Sequence, residues 1–423
     1  MRLRMPGKIP LARREKTDIV RPAAERLGHC RLCVVLQRLT AIDEGAVTVP
    51  TMPGVPAPAT PPPAAPVTFP LSWILSTAIS PIQYRASSEV ARLSGIPASM
   101  ASLPYSYGSA LSLAFLQRPD GTWNGAMLTV PGARADNFEG IGTIPAVRRM
   151  VEYGWDRESP PLVRARRTLF RLLAEDEDAG LLFELGPKGG GTDVEVVRHA
   201  RAILREAAAA ALAQAGYESD PRLRGAARRI VERFDAYLRS PLAEKPFVRA
   251  GNQHVLAPEA APPSMYALVM LAHMPRFCSE NYDIMEHVYA HLSQPAPRAL
   301  PARVVGKRVV SVSHLVLGDP LPHRSTVEAD FAGALFWLET LARLGLLRRN
   351  EQWSRTFDHF LEERDELGVW RIEKRPPSVR SSIPFAWASF PLEPHPAADA
   401  LAAEVTFRLG VIARSSGRAI ELV

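Results

Sequence analysis

Two short stretches constrain the ordered chain more than any others: Asp120-Gly121-Thr122-Trp123 and Gly368-Val369-Trp370-Arg371. Each closes a helical segment with an acidic turn, then a glycine, then a tryptophan two residues on. Glycine there supplies the positive φ that ends a helix, and tryptophan gives the turn a large apolar anchor. Between the two stretches run segments of helical periodicity, begun by proline or by Ser/Asp and stopped by glycine. That order reads as a helical-hairpin repeat.

Upstream the chain is of a different kind. It has 39 prolines in 423 residues, well above the usual level of about 5%, and Pro50–Pro66 is the densest cluster. Such a stretch propagates neither helix nor ladder and reads as a stiff, extended linker. Residues 1–40 hold ten Lys/Arg against three Asp/Glu, the whole formal net charge of +7, and the remainder balances at 41 of each sign. The pI near 9.5 therefore describes a tail, and no nucleic-acid partner is expected. We expect a disordered basic and proline-rich tail over residues 1–67 and one domain over 68–423, with Met52 an alternative to Met1 as the start.

Cys30-x-x-Cys33 has no second pair or downstream His pair to complete a zinc site, and Cys278 reads as a helix-packing residue. Sparse cysteine fits a reducing compartment, and a cytoplasmic location is expected. Arg13-Arg14 is followed by Glu15-Lys16-Thr17-Asp18 where an export signal needs an apolar run. Ala64–Pro81 is interrupted by Pro66, Pro70 and Pro81, so no membrane span is expected. No cofactor and no metal is expected.

Along the domain, order should begin near Phe69, with helices at Ser87–Ser94, Tyr107–Gln117 and Ile144–Tyr153. Ser159 reads as an N-cap with Pro160 and Pro161 in the first turn of a helix to Ala174. Asp193 can cap a helix to Ala215, rich in alanine from Ala207 to Ala213, and Gly216 stops it. Asp220 and Pro221 start the next, to Arg239. Aligning Pro160 with Pro221, an offset of 61 residues, also aligns Leu162 with Leu223 and Arg167 with Arg228. Each segment follows a Gly-aromatic pair, Gly154-Trp155 and Gly216-Tyr217. Further helices fit Pro263–Met274, Asn281–His291, Thr326–Leu344, Gln352–Glu363 and Ala397–Arg414. Arg308–Leu317 alternates as a short hairpin arm.

Helix pairs with such corners resemble the α/α-toroid proteins, and among them the repeat of squalene cyclases and protein prenyltransferases, over roughly residues 69–415. Asp120-Gly121-Thr122-Trp123 matches that family's glycine-tryptophan turn well, and Gly368-Val369-Trp370 matches its core. Gly186-Pro187 and Pro241-Leu242 occupy other hairpin ends without a tryptophan. The resemblance implies an all-α fold, antiparallel helical hairpins closing into an α/α toroid. The family's catalytic signatures are missing. In place of Asp-x-Asp-Asp stands Glu175-Asp176-Glu177-Asp178 at a helix C-terminus, Asp-Asp-x-x-Asp is absent, and the Asp/Cys/His zinc set has only Cys278 to draw on.

The leading functional expectation is a toroid that binds an apolar small molecule in a central cavity, with catalysis left open. Asp176 and Asp178 are the candidates for acid or metal work, weighed against solvated helix-end charge. A second expectation is a carbohydrate-active lyase or hydrolase. The loop Arg249-Ala250-Gly251-Asn252-Gln253-His254, with Glu259 and Tyr266, supplies an imidazole, a carboxylate, a phenol and an amide for acid–base work. Here His254, Glu259 and Tyr266 are the catalytic candidates and Arg249 and Asn252 substrate contacts; helix-capping side chains are the simpler reading. Trp123 and Trp370 are candidate walls of a ligand cavity, weighed against packing in the turns. His287 and His291 have metal-compatible spacing, but the order Glu-His-x-x-x-His is not that of a zinc protease. His395 stands alone. The third expectation is a non-catalytic helical-repeat scaffold for a protein partner of unknown identity.

Overall fold

A computed structural model of the chain describes residues 65–132, 137–174, 178–186, 193–298, 300–321, 330–371, 380–393 and 396–423. Cys30, Cys33, Asp176, Thr326 and His395, and the tail up to residue 64, lie outside the described residues. The described chain is mostly helical with a few short strands. Among the described residues no helix is long and apolar enough to cross a membrane.

The chain enters at strand β1 (Val67–Phe69) and passes through α1 (Leu71–Thr77) into α2 (Ser80–Arg85), which continues as a π-turn over Ala86–Val90. The short helices α3 (Ala98–Ala101), α4 (Leu103–Ser106) and α5 (Gly108–Phe115) follow. Then come α6 (Thr143–Glu152), α7 (Pro160–Leu173), a 3-10 stretch (Ala179–Leu185), α8 (Val194–Gln214) and α9 (Pro221–Leu238). A hairpin of β2 (Phe247–Ala250) and β3 (Gln253–Leu256) leads to α10 (Met265–Ala272), α11 (Pro275–Glu280) and α12 (Tyr282–Leu292). A second hairpin, β4 (Ala302–Val305) and β5 (Arg308–Ser311), precedes α13 (Phe331–Arg343) and α14 (Glu351–Glu362). Helix α15 (Ala398–Ser415) and β6 (Ile420–Leu422) end the chain, and β6 pairs in parallel with β1, tying the two ends of the domain together.

The helices fall into two sorts. In α6, α8, α10, α13 and α15 long runs are buried on every side: Thr143–Met150, Glu206–Ala213, Ala267–Ala272, Phe331–Leu338 and Leu401–Ala413. Helices apolar or small all round belong to a core. The alanines from Ala207 to Ala213 let α8 pack at close range against α6, α7, α9 and α10, since alanine loses no side-chain entropy on burial. Helices α7, α9 and α14 are amphipathic: α7 buries Leu162, Ala165 and Leu169 and turns Arg164, Arg167 and Arg171 to solvent.

Four of the buried helices end alike. Gly154, Gly216, Gly345 and Gly417 all have φ between +73° and +84°. The next residue's N–H reaches back in each: Trp155 to Met150 O, Tyr217 to Leu212 O, Leu346 to Leu341 O and Arg418 to Ala413 O. This is the Schellman stop, so the Gly-aromatic pairs of the sequence are two members of a larger set. The glycine-tryptophan turns also superimpose bond for bond. Arg118 N donates to Thr122 O and Gly121 N to Arg118 O; Asp365 N donates to Val369 O and Gly368 N to Asp365 O, all at 2.9 Å. Trp123 N and Trp370 N then donate to the hydroxyls of Thr143 and Thr406, at 3.1 and 3.0 Å. At Gly121 an added Cβ would lie 2.7 Å from Arg164 O on α7, so only glycine lets the turn sit against that helix.

Asp193 and Asp220 cap α8 and α9, accepting from Glu195 N and Arg222 N. Ser159 does not act as the expected cap. Its buried hydroxyl has no partner: Pro161 removes the N–H at the second helical position, the one that Asp193 and Asp220 use in their helices. Residues 249–254, read as a loop, form the β2–β3 hairpin, with Arg249 opposite His254. The arm expected over Arg308–Leu317 is displaced: only Arg308–Ser311 is strand, paired with Ala302–Val305, because Gly306 (φ +59°) turns the chain between them. The helix expected from Ser87 begins seven residues earlier, at Ser80.

Candidate functional site

The buried helices converge on charge. Arg85, Arg148, Arg149 and Arg408 are each at most 5% exposed, as are Glu152 and Glu404. Glu152, at the end of α6, is the hub. Its Oε2 receives Arg85 Nη1 at 2.5 Å and Arg408 Nη2 at 2.7 Å, and its Oε1 receives Gln214 Nε2 at 2.6 Å. Glu339 on α13 extends the network, 2.9 Å from Arg343 and 3.3 Å from Arg408. Arg148 donates to Gln214 Oε1 at 2.7 Å and to Phe385 O at 2.5 Å, with its guanidinium 3.6 Å from the centre of the Phe385 ring. Six segments, from α2, α6, α8, α13, α15 and 384–389, thus share one polar cluster.

Its electrostatics follow from position. Burial would raise the Glu152 carboxyl, but Arg408 and then Arg85 outweigh it and hold the group well below the carboxylate range. Glu339 is lowered against its own burial by Arg343 and Arg408. Glu404 makes no ion pair: burial pushes it up to about 7, and the charge of Arg408 and then the N–H of Leu392, 2.8 Å away, oppose only part of that. His273, at the end of α10, is pushed down to about 3 by burial, with Arg343 adding to the effect. The remaining space among Arg148, Glu152, Gln214, His273 and Glu339 is about 20 Å³, room for roughly one water. The cluster is therefore a nearly solid assembly of ion pairs.

A segment from Ile383 to Glu393 lies over the cluster. Phe385, Trp387, Phe390 and Leu392 are buried, and the segment's backbone is held by side chains of the helices. The carbonyls of Phe385, Ala388 and Ser389 accept from Arg148, Arg149 and Arg408, and Leu392 O accepts from Tyr153. Beside it opens an apolar cleft of about 220 Å³. Met265 at the start of α10, Trp337 on α13, Ile383, Leu300, Leu315 and Leu317 line it, with Arg298, Ser313 and Asp319 as polar members.

The residues singled out from sequence scatter. Asp178 caps the 3-10 stretch, accepting from Gly180 N, and pairs with Arg171 at 3.0 Å. His254 and Arg249 face each other across the exposed tip of the β2–β3 hairpin, with Asn252 in its turn; Arg249 donates to Gly251 O. Glu259 is exposed beyond the hairpin. Tyr266 belongs elsewhere: its ring meets Phe385 at 4.6 Å and His314 at 5.9 Å, and burial pushes its hydroxyl up to about 12. The ring neighbours of Tyr266 are thus His314 and Phe385, while His254 stands on the hairpin with Arg249. Trp123 is fully buried, its Nε1 donating to Leu113 O, and Trp370 is buried with Nε1 on Glu363. His287 binds Asp235 at 2.7 Å and His291 binds Val316 O. Among the described residues no group of three or more His, Cys, Asp or Glu is placed to hold a metal.

Sequence reading missed the charge cluster. Arg148, Arg149 and Glu152 do leave a signal, three charged residues on a helix whose opposite face is also apolar, but their partners lie up to 256 positions away. A scan against protein-family models and searches of curated proteins and solved structures match nothing to this chain.

Proposed function

We propose that the chain is an α/α-toroid protein, similar to the cyclase and prenyltransferase repeat, that binds a small apolar molecule. The observation that carries this reading is the cleft of about 220 Å³ beside α10 and α13, bounded by Leu300, Leu315, Leu317, Trp337 and Ile383. An aliphatic and aromatic lining with few polar groups suits a hydrocarbon body and offers orientation only at its polar members. The toroid part of the proposal is supported by the alternation of buried and amphipathic helices, and by the recurring Schellman and glycine-tryptophan turns. On this reading the ligand site lies beside the central ion pairs, which fill the space among the buried helices.

The test is binding of Nile red to the full chain, with solvent extraction and mass spectrometry of the purified protein for retained ligand. Wild type should bind the dye saturably. Leu317→Arg and Leu315→Arg should each weaken binding by about tenfold or more, as a charge set in an apolar site costs at least about 1.4 kcal/mol. Equal binding by wild type and both variants would sink the proposal and favour an interaction scaffold.

A further inference from the structure

A second site, away from that cleft, is built around Arg149. This guanidinium is 1% exposed, yet among the described residues it meets no carboxylate. Its one acceptor is Ala388 O at 3.5 Å, its Nε has no partner, and it otherwise rests on the rings of Trp387 (4.2 Å) and Tyr153 (5.7 Å). A buried cation without an anion is costly. The buried acid Glu404 makes no ion pair with it and spends its oxygens on Leu392 N.

Arg149 lines a pocket whose other walls are Pro131, Asn137, Phe138, Arg380, Trp387 and Pro391. Arg380 brings a second guanidinium, which also donates to Pro131 O. Phe138 and Trp387 form two aromatic sides, edge to face at 6.3 Å. Asn137 and Phe138 are both held at positive φ, +44° and +65°. That conformation is costly for a side chain as large as phenylalanine, and such strain collects at ligand clamps. The enclosed space is about 20 Å³, the room of roughly one water, so only the oxygens of a ligand's head enter and its body lies at the open mouth.

We propose that this pocket binds the carboxylate of a small aromatic acid, with Arg149 as the buried anion partner, Arg380 as the second cation, and the ring at the mouth against the outer edges of Phe138 and Trp387. A carboxylate would supply the charge that Arg149 lacks, through the planar fork geometry that guanidinium favours. Phosphate, being larger and tetrahedral, fits the narrow space less well.

The probe is sodium benzoate, titrated into the full chain by calorimetry, with benzamide as the neutral isostere and inorganic phosphate as the tetrahedral anion. Benzoate should bind saturably, at least about tenfold more tightly than either. Arg149→Gln should weaken benzoate by on the order of tenfold to a hundredfold, the range of a charge-assisted pair, while Arg149→Lys restores part of it. Should Arg149→Gln fail to fold, the more exposed Arg380→Gln decides, with an expected loss of about threefold to tenfold. Absence of benzoate binding to wild type at tens of millimolar (~50 mM), or benzamide binding equally well, overturns the proposal. So does benzoate binding unchanged in Arg380→Gln and in a folded Arg149→Gln.

Discussion

Glu152 and Glu404 are buried carboxylates in one cluster, and they respond to pH in opposite ways. Glu404 is raised in the folded protein, so the folded state holds a proton that the unfolded chain gives up. Its stabilising effect is complete below about pH 4.5 and is lost as pH rises through about 7. Glu404→Gln should flatten that decline and leave the variant more stable than wild type at pH 8, by on the order of 3 kcal/mol, measured by urea unfolding at pH 5 and pH 8. A variant no more stable at pH 8 would show that the carboxylate is accommodated as an anion. Glu152 is depressed by its two arginines, so its contribution holds above the carboxylate range and disappears as pH falls below it. Glu152→Gln at pH 7 removes the carboxylate that Arg85 and Arg408 share, leaving them Glu89 and Glu339, and should cost about 1.5–3 kcal/mol, seen as a lowered urea midpoint with unchanged slope. His273, at about 3, and His314, at about 4, are likewise depressed, both mainly by burial. They add stability above pH 6.5 that is lost on acidification.

At the scale of the element, the helix stops decide where each segment turns. Gly121 and Gly345 both sit at positive φ, but only Gly121 meets a neighbouring backbone where a Cβ would go. Gly345→Ala should therefore cost about 1–2 kcal/mol, the left-handed penalty alone. Gly121→Ala adds a clash with α7 and should cost more, about 2–4 kcal/mol. Thermal unfolding of the two variants compares them directly, and equal losses would mean that the α7 contact yields. The stops at Gly154 and Gly216 were readable in the sequence because a glycine that ends a helix acts within one turn. Asp193 and Asp220 were readable for the same reason. Ser159 was misread because the prolines after it change which donors exist, and residues 249–254 because a four-residue strand leaves little periodicity.

For the molecule as a whole, the ion pairs join helices distant in the chain. Arg85, Glu152, Glu339 and Arg408 bring α2, α6, α13 and α15 into one cooperative unit. Hydrogen exchange should find Leu401–Ala413 and Glu206–Ala213 among the slowest amides and the β2–β3 hairpin among the fastest. Fast exchange in α15 would contradict a core organised around Arg408.

What the sequence by itself determined is local: the mostly helical character, the capped starts, the glycine stops and the tryptophan turns. Each rests on a backbone preference or a side chain acting within a few residues. Tertiary structure alone decided that Arg148 and Arg149 are buried, that Tyr266 meets His314 and Phe385, and that Leu300, Leu317 and Trp337 share a cleft. Those facts depend on distance in space, and on the loss of water that makes a buried charge or an apolar wall matter, which exists only once the helices have packed.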